Sequence, residues 1–312
     1  MTTKMEQEPT VQPSKAVEVV ADWWRTCAAA APHHESMEAA RDFNEGWGGV
    51  TAEPRGVDYL EVDAGGVPAM WAVPKNCVVN RVLFAIHGGG FISGSIYTHR
   101  KMFGHFAKAM GCRALIVEYP FSPENQYPAQ INNVVAAYRW LLDQGIQPGH
   151  IAFVGDSAGG NLVITSMLLA RDRGLPLPVA VMAMSPWYDM EVVGASADYN
   201  HGKDALLTKE WVKGLAAMYL GEKGDRKDPH VTPLYADLKG LPPIYIQVGS
   251  YEVLLDDSTR LADHARQAGV EVRLDIFPAM QHTFQMAAGR APESDDAIAR
   301  YAAWIKPKLG LS

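Results

Sequence analysis

Five nearly unbroken apolar runs, VLFAI at 82–86, ALIVEY at 114–119, IAFVG at 151–155, VAVMAMS at 179–185 and PIYIQVG at 243–249, constrain this chain more than any other feature. A strand with one face in water alternates apolar and polar side chains, whereas a run apolar on both faces belongs to a sheet covered on both sides. Helix-like stretches such as NNVVAAYRWLLDQG and DSTRLADHARQAG stand between the runs. Alternation of strand, helix and strand needs long crossovers, and those generate parallel neighbours. With VDYLEV and VPAMWAV ahead of the series and VRLDIF at 272–277 behind it, the expectation is an α/β architecture: a mostly parallel eight-stranded sheet with helices on both faces.

Two segments fall outside that rhythm. Residues 1–55 begin with a polar lead, read as disordered over 1–15, and continue with AVEVVADWWRTCAAAA, whose Val19, Trp23, Trp24 and Cys27 recur at about one helical turn. Residues 188–228 are rich in Asp, Gly, Lys, Trp and Met without a strand pattern, which marks an insertion into a body spanning 56–312. The formal net charge of −7 argues against a nucleic-acid partner, which would want clustered Lys and Arg. Cys27, Cys77 and Cys112 are widely spaced and form no CxxC pair. Neither a disulfide framework nor a zinc site is therefore expected, and no other ligand cluster calls for a metal or cofactor. No run reaches the ~18 apolar residues of a membrane span, and the polar N-terminus has no signal-like apolar core. A cytoplasmic protein is the expectation.

Gly155-Asp156-Ser157-Ala158-Gly159 follows the run IAFV directly and precedes NLVITSMLLARD, a helix-like stretch. A serine in so sharp a strand-to-helix turn needs small neighbours, because Cβ atoms beside it would collide with strand and helix. Such a turn lifts the hydroxyl to the carboxyl edge of the sheet, at a helix N-terminus whose dipole favours developing negative charge. His87-Gly88-Gly89-Gly90-Phe91 follows VLFAI in the same way. Three glycines let backbone N–H groups approach a ligand unobstructed, as an oxyanion hole requires. The dinucleotide pattern G-x-G-x-x-G fails here, since Ser93 occupies its last position. A nucleophilic serine needs a base, and His282, in the loop PAMQHTF after the VRLDIF run, is the best placed histidine. The bland alternative for it is a loop histidine bonded to backbone. A carboxylate in the loop GSYEVLLDD would complete the set in the chain order serine, acid, histidine. Glu252, Asp256 and Asp257 all qualify, and any of them could equally cap a helix.

Taken together, HGGGF, GDSAGG, EYPFSPENQYPAQ and DPHVTPLYADLKGLPPIYIQVG resemble the bacterial hormone-sensitive-lipase-like esterases, the GDXG family, from about residue 55 to the C-terminus. The resemblance implies an α/β-hydrolase fold with a helical cap, built from an N-terminal segment and an insertion after the sixth strand, where 1–55 and 188–228 lie. It also implies a serine carboxylesterase with Ser157 as nucleophile and His282 as base. The family's acid motif, G-x-x-D-x-L, aligns its acid with Glu252, a departure from Asp that leaves Asp256 as second choice. Family oxyanion donors correspond to the amides of Gly89, Gly90 and Ala158. Among apolar residues of the implied cap, Trp23, Trp24, Trp211, Met218 and Tyr219 could line an acyl or alcohol pocket, or merely pack. Phe91, Trp23 and Trp211 are the ones expected at the substrate. Short- to medium-chain esters are the implied substrates, with lactone or amide hydrolysis on the same residues as alternatives. A non-catalytic binding protein of the same fold, like the gibberellin receptors that lack the histidine, is the rival from another class. Dimerisation through an edge strand to a homodimer is a further family property.

Overall fold

The computed structural model describes residues 12–312. Its strands are β1 (Val57–Asp63), β2 (Pro68–Pro74), β3 (Val78–Ile86), β4 (Cys112–Val117), β5 (Ile151–Asp156), β6 (Ala180–Met184), β7 (Ile244–Gly249) and β8 (Val272–Phe277). They form one sheet in the order β1-β2-β4-β3-β5-β6-β7-β8. The β1–β2 and β2–β4 pairs are antiparallel and every later pair is parallel. The helices are α1 (Glu18–Ala30), α2 (Met37–Asn44), α3 (Ile96–Met110), α4 (Ala129–Asp143), α5 (Ala158–Asp172), α6 (Ser196–Tyr199), α7 (Lys209–Leu220), α8 (Leu255–Gln267) and α9 (Pro292–Ile305).

The five apolar runs supply β3 to β7, and the strand period of two splits their side chains between two cores. Val82, Phe84 and Ile86 pack with α4, α5 and α8, while Leu83 and Ala85 pack with α3 and α9. One difference from the sequence reading is that β3 starts at Val78, where residues 78–80 are exposed. Backbone pairing with Cys112 extends the strand there, and such pairing needs no apolar side chain.

The two segments outside the sheet rest on different cores. Val20, Trp24 and Cys27 of α1 join the core of Leu83 and Ala85, whereas Val212, Leu215, Ala216 and Tyr219 of α7 join that of Phe84. The reading of 1–15 as a disordered lead falls, up to residue 11, outside the described residues. At its end, however, Ser14 is fixed: its N–H and hydroxyl donate to the Glu293 carboxylate at 2.6 and 2.7 Å. Among the described residues no helix is long and apolar enough to cross a membrane.

Candidate active site

Ser157 joins the end of β5 to the start of α5 with φ 52° and ψ −118°, a conformation rare for a residue with a Cβ. It is held there by its N–H donating to Met184 O at 2.9 Å and by its own carbonyl accepting Trp187 N–H at 3.1 Å. The glycines are required by close approach. A Cβ on Gly155 would stand 2.5 Å from Gly159 O, and one on Gly159 would stand 2.2 Å from Ile86 O.

His282 lies after β8, 125 residues along the chain, yet its Nε2 is 3.0 Å from Ser157 Oγ. Its Nδ1 is 3.1 Å from Glu252 Oε2, in the loop after β7. The other carboxylate oxygen, Oε1, accepts the Ser185 hydroxyl at 2.7 Å and the Gly249 N–H. All of these side chains are buried. Burial alone would push the His282 imidazole down, but the hydrogen bond and negative charge of Glu252 hold it above its ordinary range. Burial likewise lifts the Glu252 carboxyl above the usual carboxylate range, against the bonds from His282, Gly249 and Ser185. The rival acids are engaged elsewhere. Asp256 accepts the Ser196 N–H at the start of α6, and Asp257 accepts the N–H groups of Tyr188 and Asp189.

The glycine loop after β3 is clamped to the serine turn by Asp156, whose Oδ1 accepts Gly88 N–H at 3.0 Å and whose Oδ2 lies 3.3 Å from His99 Nε2. A Cβ on Gly88 would meet that carboxylate at 2.3 Å. On the far side, His87 bonds Glu118 at 2.7 Å and stacks on Tyr119 at 4.3 Å. These two residues belong to the EYPFSPENQYPAQ stretch, whose place in the site no spacing argument supplied. Gly89 and Gly90, at φ 118° and 62°, then turn the chain toward Ser157. Their amides donate to no protein acceptor among the described residues. The Ala158 amide opens α5 beside Ser157.

A cavity of about 640 Å³ opens above these groups. Trp24, Cys27, Met37, Ala40 and Trp47 form one wall, and Leu206, Leu207, Trp211, Val212, Leu215 and Met218 the other. Ser157, His282, Gly89 and Gly90 are on the floor. Trp211 thus lies on the wall, but two other residues expected at the substrate do not. Phe91, at φ 63°, turns its ring into the core and stacks on buried Tyr219 at 3.8 Å. Trp23 is one residue from Trp24 and therefore about 100° round the helix. Trp24 faces the cavity, while Trp23 stacks on Phe43 at 5.8 Å. Sequence reasoning assigned no role to Asp156, Trp187 or Ser185. Ser185 stood there only as the last residue of the run VAVMAMS.

A family model described as an alpha/beta hydrolase fold matches residues 83–286. An acetyl-hydrolase of Streptomyces hygroscopicus is 36% identical over 80% of this chain and 83% of that protein. An esterase of Acinetobacter venetianus is 38% identical over 70% of this chain and 72% of that protein. Among solved structures, an esterase from the bacterial hormone-sensitive lipase family superposes with a TM-score of 0.92 at 39% identity, covering 96% of this chain and 100% of that one.

Proposed function

This chain belongs to the hormone-sensitive-lipase-like esterases of the α/β-hydrolase fold and is a carboxylic ester hydrolase; we propose that Ser157 is its nucleophile, His282 its base and Glu252 its acid. The observation that carries this reading is the unbroken line from Ser157 Oγ through the His282 ring to Glu252 Oε2, at 3.0 and 3.1 Å. His282 Nε2 takes the hydroxyl proton as Oγ attacks the ester carbonyl carbon. The oxygen that gains charge faces the amides of Gly89, Gly90 and Ala158. The imidazolium, stabilised by Glu252, then gives its proton to the departing alkoxide, leaving an acyl-serine. Water attacks the acyl carbon with His282 again accepting the proton, which passes to Ser157 Oγ as the acyl–Oγ bond breaks and the carboxylic acid product leaves.

The walls suggest what enters. The N-terminal segment of 1–55 and the insertion of 188–228 act in this reading as a cap. No Lys or Arg is among the cavity residues described, so neutral acyl and alcohol groups are favoured over anionic ones. A volume of about 640 Å³ suits short- to medium-chain esters, in keeping with the acetyl-hydrolase relative. The test is a panel of p-nitrophenyl esters of graded chain length, with a lactone and an anilide, run beside Ser157→Ala. Esters should turn over fastest, and the variant should lose about 10⁴- to 10⁶-fold in kcat. A Ser157→Ala protein with near-wild-type turnover removes the proposed nucleophile, and an anilide hydrolysed faster than any ester removes the substrate class.

A further inference from the structure

We propose that Ser185 is a positioning residue for this reaction, its hydroxyl fixing the acid and the base of the triad to each other. The inference rests on the triad assignment above. Ser185 is the first residue after β6, completely buried, at φ 46°. Its N–H donates to Gln247 O of β7 at 2.7 Å, which anchors it to the strand that leads to Glu252. The side chain then makes two bonds. The hydroxyl lies 2.7 Å from Glu252 Oε1, and the Thr283 N–H donates to the same Oγ at 2.9 Å.

A hydroxyl has one proton. Glu252 as a carboxylate can only accept, and Thr283 N–H can only donate. The Ser185 proton therefore points to Glu252, and its lone pair receives the amide next to His282. One oxygen atom thus ties the acid loop to the base loop through Oε1, the carboxylate oxygen that the imidazole does not use. Glu252 has two oxygens to orient, and with Ser185 and Gly249 on Oε1, only Oε2 is left for the imidazole. The longer side chain of Glu has one more rotatable bond than Asp, so a second-oxygen anchor has more freedom to suppress here. Thr283 also sits in the left-handed region, at φ 49°. Two non-glycine residues in disfavoured backbone, bonded to each other beside the triad, are what an over-determined site maintains.

Ser185→Ala and Ser185→Gly test this, the glycine form adopting a positive φ without strain. Loss of a hydrogen bond to a charged group predicts a fall in kcat of about ten- to a hundredfold with little change in KM. Because the effect acts through the carboxylate, it should shrink to about threefold or less in a Glu252→Gln background. Titration with a phosphonate inhibitor counts competent sites, so that misfolded protein is not mistaken for slow protein. Wild-type kcat in either single variant overturns the inference. So does a penalty equal in both backgrounds, which marks a structural role only. If Ser157→Ala stays active the triad itself falls, whereas inactive Ser157→Ala beside normal Ser185 variants defeats Ser185 alone.

Discussion

The floor and the walls of the cavity are built on opposite principles. On the floor, directional bonds hold the polar side chains: Asp156 grips Gly88, Glu252 takes Ser185 and Gly249, and His282 bridges Ser157 and Glu252. The walls are mostly apolar side chains from two segments that rest on different cores. Directional bonds fix positions to fractions of an ångström, which acyl transfer needs. Apolar packing fixes shape and excludes water but tolerates exchange of similar volumes. Substitutions on the floor should therefore act on kcat, and those on the walls on substrate preference.

The floor's largest test after Ser157→Ala is Glu252→Gln. Losing the charge that stabilises the imidazolium should lower kcat by about 10³- to 10⁴-fold. Asp256→Asn, whose carboxylate bonds Ser196 and Tyr199 of α6, should leave kcat within about threefold. The pH profile sharpens the contrast. His282 must be neutral to accept a proton, so activity is lost as pH falls through its pKa, which Glu252 holds above the ordinary imidazole range. In Glu252→Gln burial is opposed only by the charges of Asp204 and Asp156, and the acidic limb of kcat/KM should move to lower pH. If Asp256→Asn instead abolishes turnover, the acid has been misassigned.

The same division explains what the sequence reveals. Strands β3 to β7 are legible because burial on both faces leaves a continuous apolar run. Ser157 and the glycine loop are legible because close backbone approach admits only glycine, as the 2.2 Å clash at Gly159 demonstrates. Glu252 could not be separated from Asp256 and Asp257 by spacing, since all three lie within six residues and each caps or bonds something; only tertiary geometry, or a family motif, distinguishes them. The walls were read least well. Trp23 and Phe91 are as apolar as Trp24 and Trp211, and composition does not encode which way a ring turns: helix phase decides the first pair, and a left-handed backbone decides Phe91. Ser185 is legible only as the polar end of the run VAVMAMS, and nothing in the sequence marks what its hydroxyl does.

Trp24 is the exception through which the comparison can be sharpened, for it belongs to a wall yet its indole Nε1 donates to His282 O at 2.7 Å. Trp24→Phe keeps most of the apolar contact and removes the donor, leaving a buried carbonyl unpaired. Stability should fall by about 1–3 kcal/mol, read by denaturant unfolding. A kcat lowered by up to about tenfold across all acyl lengths would place this tryptophan functionally with the floor. A changed chain-length preference at unchanged kcat would return it to the walls.

Trp211 should give the smallest effect. It projects from the first turn of α7, where Thr208 accepts its backbone N–H, and the residue remains 39% exposed at the rim of the cavity. Alanine is a better helix former, so the turn and its cap persist in Trp211→Ala, and no bond to the triad is lost. What disappears is apolar contact for whatever reaches the rim. A fully enclosed methylene is worth about ten- to two-hundredfold in kcat/KM, and a half-open rim reduces that to about two- to fivefold. The loss should be confined to esters long enough to touch the ring, with acetate turnover unaltered. Equal losses for acetate and octanoate esters would mean that α7 presses on the glycine loop through Leu215, which a Cβ placed on Gly90 would meet at 3.0 Å. In that case walls and floor would be one mechanical unit.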